Sequence, residues 1–141
     1  MKRDMDLIRK IAFHIESAAP PILSDRIPID GYSQEQIGYH CDLMKDAGLV
    51  HLDDESPGGN HPEFITWTIQ RLSWSGHEFI DAARDDTVWN KVTGHVKETA
   101  KSVTFDALTN LLKRASQQAV AHGIDWLSKT DWQWLQNLPL Q

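Results

Sequence analysis

The stretch "YSQEQIGYHCDLMKDAGLV", Tyr32 to Val50, decides the fold. Ser33 is followed three residues later by Gln36, which is capping-box spacing. In that motif the hydroxyl accepts from the third helical N–H, and the amide side chain reaches back to the cap's own N–H. Behind it, Ile37, Cys41 and Met44 recur at three- and four-residue steps, which predicts a helix with one apolar side. Tyr39, His40 and Leu43 are expected to widen that side. Gly48 stands where a left-handed turn ends a helix. "LVHLD", residues 49 to 53, then reads as a strand, with Leu49 and Val50 entering the core.

Upstream, "RDMDLIRKIAFHIESA", residues 3 to 18, carries Met5, Leu7, Ile8, Ile11, Ala12 and Ile15 at helical spacing between charges. Asp4 is its expected N-cap, and Pro20-Pro21 stop it. "RIPID", residues 26 to 30, is short and β-branched with one proline, so it reads as an edge strand before a turn at Gly31.

Downstream, "DESPGGNHPE", residues 54 to 63, has the composition of a hairpin loop. "FITWTIQRL", residues 64 to 72, reads as the returning strand. Strict alternation would put Phe64, Thr66, Thr68 and Gln70 on one face and Ile65, Trp67, Ile69 and Arg71 on the other. Ser73 is expected to cap a helix with Phe79, Ile80 and Ala83 as its apolar side. A further helix carries Val88, Val92 and Val96 with Trp89 beside them. Another, ending at Gly123, carries Phe105, Leu108, Leu111, Leu112, Ala115 and Ala119. "TDWQWLQNL", residues 130 to 138, reads as a short last helix.

Helix, short strand, helix, strand, loop, strand, helix is the order of a winged-helix domain. "IGYHCDLMKDAGLV" followed by a hairpin and "RLSWSGHEFID" resembles the recognition helix, wing and next helix of many bacterial winged-helix proteins. Three blocks, "MKRDMDLIRKI", "GYSQEQIGYHCDLMKDAGLV" and "LSWSGHEFIDAARDDTVWNKV", are together similar to a bacterial and prophage family, domain of unknown function 2513. The resemblance runs to about residue 112 and implies a winged-helix-like core in a phage or bacterial setting, with no established activity or site. The expected fold is therefore α+β and mostly helical: a winged-helix-like core over 1–86, C-terminal helices over 87–123, and a tryptophan-rich tail helix over 124–141.

The chain has 141 residues and a formal charge of −6, from 14 basic and 20 acidic side chains. That balance opposes a wholesale electrostatic grip on nucleic acid. Its first ten residues are too charged for a signal peptide, and no apolar run reaches membrane-spanning length. Cys41 is the single cysteine, so an internal disulfide is excluded and a reducing, cytoplasmic setting fits. At an apolar helical position it reads as buried and inert.

Charge is unevenly spread. On the would-be recognition helix, Glu35, Asp42 and Asp46 face one lysine, Lys45. The would-be wing carries Asp53, Asp54, Glu55 and Glu63 with no base. Acids there oppose phosphate contact, and a fold does not by itself license DNA binding. Bases collect in Lys2, Arg3, Arg9 and Lys10, and again in Lys91, Lys97, Lys101, Lys113 and Arg114. A DNA reader would use Gln34, Gly38 and Tyr39 for bases, with Lys45, the first helix and the Lys91 to Arg114 segment (Lys91, Lys97 and Lys101 among it) on phosphates.

"RDDTVWNK", residues 84 to 91, reads as a helix–helix corner. Arg84 complements the end of one helix, Asp86 caps the next with Asp85 near its positive end, and Trp89 packs inward. Adjacent aspartates beside an arginine favour ionisation and make a poor general acid. His77 and Asp81, four apart, lack the HExxH or CxxC spacing of a metal site. No cofactor loop or nucleophile elbow is present in the sequence. Trp126, Trp132, Trp134 and Leu135 make the tail apolar enough to need a cover, either the core or a partner. The expectation is a non-enzymatic protein-interaction module that takes a protein partner or a second copy of itself; a DNA-binding winged-helix regulator is the alternative.

Overall fold

The computed structural model describes residues 1–53, 66–98 and 103–122. The expected hairpin tip at 54–63, Lys101 and the tail with Trp126, Trp132, Trp134 and Leu135 lie outside the described residues. Two compact units are present, Met1–Ile80 and Asp81–Gln141.

The first unit opens with α1, Met5–Ser17, capped by Asp4, whose side chain accepts from the Leu7 N–H at 3.2 Å. Leu7, Ile8, Ile11, Ala12 and Ile15 are all buried, as their spacing predicts. Strand β1, Ile22–Leu23, is followed by a 3-10 turn at Ser24–Arg26 and then by α2, Gln34–Asp46. Strand β2 is Val50–Leu52 and β3 is Thr68–Leu72. Together they form an antiparallel sheet in the order β1-β3-β2. Helix α3, Trp74–Ala82, carries the chain to the end of this unit.

Both ends of α2 are built as the sequence requires. Ser33 and Gln36 form the reciprocal capping box. At the other end Gly48 has φ +72°, the Gly48 N–H reaches the Lys45 carbonyl, and the Leu49 N–H reaches the Met44 carbonyl, both at 2.9 Å. This pair of bonds is a Schellman motif. Between them Ile37, Cys41 and Met44 are fully buried. Each such side chain stabilises by roughly 1.5–3 kcal/mol relative to exposure.

Two expectations are corrected. The edge strand is Ile22–Leu23, not residues 26 to 30. Ile22 pairs with Ile69 and Leu23 with Thr68. At Ser24 the N–H bonds the Trp67 carbonyl at 2.9 Å, and the Ser24 hydroxyl accepts from the Trp67 N–H at 2.7 Å. The side chain thereby ends the ladder and the backbone turns away. Ile27 is fully buried without being in a strand, and Pro28 brings no N–H to a ladder. Strict alternation also fails in β3. His51 pairs with Arg71 but Leu52 pairs with Ile69, so Gln70 is an extra residue in a bulge. The bulge brings Ile69 and Leu72 to the core together and leaves Arg71 exposed.

In the second unit α4, Asp86–Glu98, packs with α5, Phe105–His122. Val88, Trp89 and Val92 of α4, with Leu108, Leu111, Leu112 and Ala115 of α5, are among its buried side chains. Thr104 caps α5 by accepting from the Ala107 N–H at 3.1 Å.

Candidate interaction surface

The start of α3 is fixed against the end of α2. The Ser73 N–H donates to the Leu49 carbonyl at 2.8 Å, and the Ser73 hydroxyl donates to the Gly48 carbonyl. The same hydroxyl oxygen accepts from the Gly76 N–H at 3.0 Å, which is the expected cap. Gly76 packs so closely that a Cβ there would lie 2.3 Å from the Leu49 carbonyl oxygen. Trp74 sits between these anchors, 78% exposed. Its indole N–H donates to Glu78 Oε1 at 2.9 Å, which fixes the ring's orientation one turn along the helix.

This residue was not singled out in the sequence, although a signal was available. At about 100° per residue, Trp74 lies about 140° from Phe79 and about 180° from Ala83, so the helix that buries those two must present Trp74 to solvent. Phe79, Ile80 and Ala83 are buried as expected, and Trp74 stands on the opposite side.

Helix α2 presents Gln34, Glu35, Tyr39, Lys45 and Asp46 to solvent, with Asp42 half-buried. Four of the seven residues expected for DNA reading lie on this helix, and they are only partly on display. Gln34 Nε2 bonds the Ile27 carbonyl at 3.4 Å. Gly38, expected to face solvent, is buried. Lys45 lies over the Trp67 ring at 4.6 Å. Tyr39 is 37% exposed. Lys91 and Lys97 are exposed on α4, in the other unit.

His40 and Cys41 have structural places. His40 is 2% exposed. Its Nε2 accepts from the Asp4 N–H at 2.8 Å and its Nδ1 meets the Gln36 carbonyl at 2.7 Å. Those contacts require a neutral ring with the proton on Nδ1. Tyr32 donates its hydroxyl to Asp4 Oδ2 at 3.0 Å, so one aspartate links α1, Tyr32 and α2. Burial, and then the Asp4 carboxylate, push the Tyr32 hydroxyl above its usual range. Burial, with Asp42 second, pushes the Cys41 thiol up to about 12. A thiol held neutral in this way is no nucleophile near neutral pH.

At the corner between α3 and α4 the two aspartates exchange their expected roles. The cap is Asp85, not Asp86: Asp85 Oδ1 accepts from the Val88 N–H at 3.0 Å. Asp86 is the first residue of the helix, where its charge meets the positive end of the dipole. Arg84 pairs directly with Asp81 at 3.0 Å on the exposed surface, and Trp89 is 1% exposed. Among the described residues no group of three or more His, Cys, Asp or Glu is placed to hold a metal ion. Among the same residues no helix is long and apolar enough to cross a membrane.

The chain is similar to known proteins of unassigned role. Residues 2–103 match the family described as "Hypothetical protein (DUF2513)". A relative from Haemophilus influenzae, described as an uncharacterized protein, is 34% identical over 124 residues, covering 86% of this chain and all of the relative. No solved structure matches.

Proposed function

The chain belongs to the DUF2513 family, a family of unknown function, and from that premise we propose a non-enzymatic protein-interaction module of bacterial or phage cytoplasm. The observation that carries this reading is Trp74, a large aromatic side chain 78% exposed on a rigid helix start. Most exposed tryptophan surface is unfavourable in water, and tryptophan is enriched among residues that dominate protein interfaces. Its indole N–H is bonded to an acid, Glu78. The tryptophans of the tail extend the same reading to residues 124 to 141, as a second contact or a self-pairing segment.

A winged-helix assignment is favoured by the element order and by the strand order β1-β3-β2. It keeps a DNA-binding regulator as the second reading. Against it stand the acids of α2 and the engagement of Gln34 and Lys45 with their own fold. Affinity capture of the full chain from a bacterial host, followed by reconstitution with the purified partner, tests the first reading. It expects a saturable protein complex of fixed stoichiometry. Recovery of nucleic acid alone, resistant to physiological salt, would contradict it.

A further inference from the structure

An open cavity of about 190 Å³ lies where the end of α1 meets β1, within Met1–Ile80. Such a volume holds several waters or one small molecule. Two basic side chains line it, His14 from the last turn of α1 and Arg26 from the 3-10 turn. The other lining residues fall between Ala18 and Leu23 and bring no charged side chain. Among the described residues, therefore, the cavity has two bases and no carboxylate.

Neither side chain is spent on the fold. The His14 ring and the Arg26 guanidinium have no hydrogen bond, ion pair or ring contact among the described residues. Other bases of this chain do find partners within it: Arg84 pairs with Asp81, His95 lies 4.0 Å from Glu98, and Lys45 lies over Trp67. The acids nearest in sequence leave the two cavity bases uncompensated. Asp25 is outside the lining, and its Oδ1 is buried without a hydrogen-bond partner among the described residues. Glu16 is also outside the lining. It stands about 200° around α1 from His14. Both bases rise from fixed backbone. His14 precedes the buried Ile15, and Arg26 lies between Ser24 and Ile27, which are 1% and 0% exposed. Ser24 is itself bonded twice to Trp67.

We infer that this cavity binds the carboxylate of a small monoanionic molecule, held by the Arg26 guanidinium and the His14 ring. This is a ligand site, and it goes beyond the protein-interaction reading without depending on it. The planar fork of an arginine matches the two oxygens of a carboxylate. A histidine ring offers an N–H whether neutral or charged, so His14 donates in either state. The end of α1 limits the charge that the cavity accepts, because a helix C-terminus carries partial negative charge. The His14 carbonyl is covered there by the Ala18 N–H and the Ser17 hydroxyl, both at 3.0 Å, which softens that field without reversing it. One negative charge against one permanent cation is therefore the match, and a phosphate dianion is disfavoured. The fixed backbone on both sides leaves little ordering to binding.

The test is an NMR titration of the isotope-labelled full chain with sodium acetate, with chloride holding ionic strength constant. Acetamide, the neutral counterpart, and inorganic phosphate are titrated in parallel. Arg26→Gln, His14→Ala and, as a control on the other unit, Lys91→Gln follow, after thermal melts show that they fold. Acetate should give saturable shifts centred on His14, Leu23 and Arg26, and acetamide should give none at the same concentrations. R26Q should weaken acetate binding about ten-fold, H14A several-fold, and K91Q not at all. Shifts that grow without saturating, or equal affinity of R26Q and the unaltered chain, would overturn the inference. So would equal shifts from acetate and acetamide, a comparison that needs no variant. Tighter binding of phosphate than of acetate would overturn the assignment to a monoanionic carboxylate. None of these results touches the protein-interaction reading, which falls only with the capture experiment.

Discussion

At the residue scale, two tryptophans in one fold stand at opposite extremes of burial. Trp89 is 1% exposed and Trp74 is 78% exposed. Trp89→Ala should destabilise by about 3–5 kcal/mol, the range for emptying an aromatic site in a core. Trp74→Ala should change stability by less than about 1 kcal/mol, since it removes one exposed hydrogen bond and little buried area. Denaturant unfolding of the two variants checks both. Two glycines make a similar contrast. Gly76→Ala drives a Cβ to 2.3 Å from the Leu49 carbonyl oxygen, whereas a Cβ at Gly94 meets nothing within 4 Å. The first should destabilise by about 1–3 kcal/mol. The second should stabilise by up to about 1 kcal/mol, the helix-propensity gain of alanine over glycine. Opposite shifts in the melting midpoint are the expected result.

Cys41 and Tyr32 give the residue scale a pH dependence. Both protons are held more tightly in the folded chain, with the Cys41 thiol raised from 9.0 to about 12. Above the unfolded value the unfolded chain ionises and the folded chain does not. The unfolded state then binds fewer protons, so stability falls as pH rises from about 9 to 12. Unfolding free energy measured across that window should decline, and Cys41→Ala should flatten the lower part of the decline. A thiol-labelling reagent near neutral pH should react with Cys41 only on unfolding.

At the element scale, helices were legible wherever cap, period and stop agreed. Ser33, Gln36 and Gly48 bound α2 to within a residue, and Asp4 does the same for α1. These are local signals, carried by neighbours in sequence. The strand at 26 to 30 was misplaced because its location depends on a partner far along the chain. Ser24 and Trp67 are 43 residues apart, and their bonds, not β-branching near Ile27, decide where the ladder stops. The bulge at Gln70 was hidden for the same reason, as register belongs to two strands together. The cap at the corner moved by one residue, from Asp86 to Asp85, because adjacent aspartates carry the same local signal. Asp85→Ala should cost about 1 kcal/mol of stability and Asp86→Ala a few tenths, read from denaturant midpoints. The candidate surface was half legible: the acids of α2 were read from sequence, but Trp74 emerged only once the α3 face was seen to exclude it.

At the scale of the whole molecule, charge and aromatic surface point the same way. The acidic excess lies entirely in Met1–Ile80, the unit that carries α2, the sheet and Trp74. A duplex would meet Glu35, Asp42 and Asp46 along the helix that a winged-helix protein normally offers it. The tail with Trp126, Trp132, Trp134 and Leu135 is a separate apolar contribution. Removing residues 124 to 141 should alter oligomeric state or partner capture while the capped helices of Met1–Ile80 keep their circular-dichroism signal and melting transition. The most direct test of the account is an anisotropy titration of the full chain against labelled host DNA fragments at physiological ionic strength. The account predicts no saturable binding through the micromolar range. A sequence-preferring complex whose affinity falls steeply with added salt would contradict it.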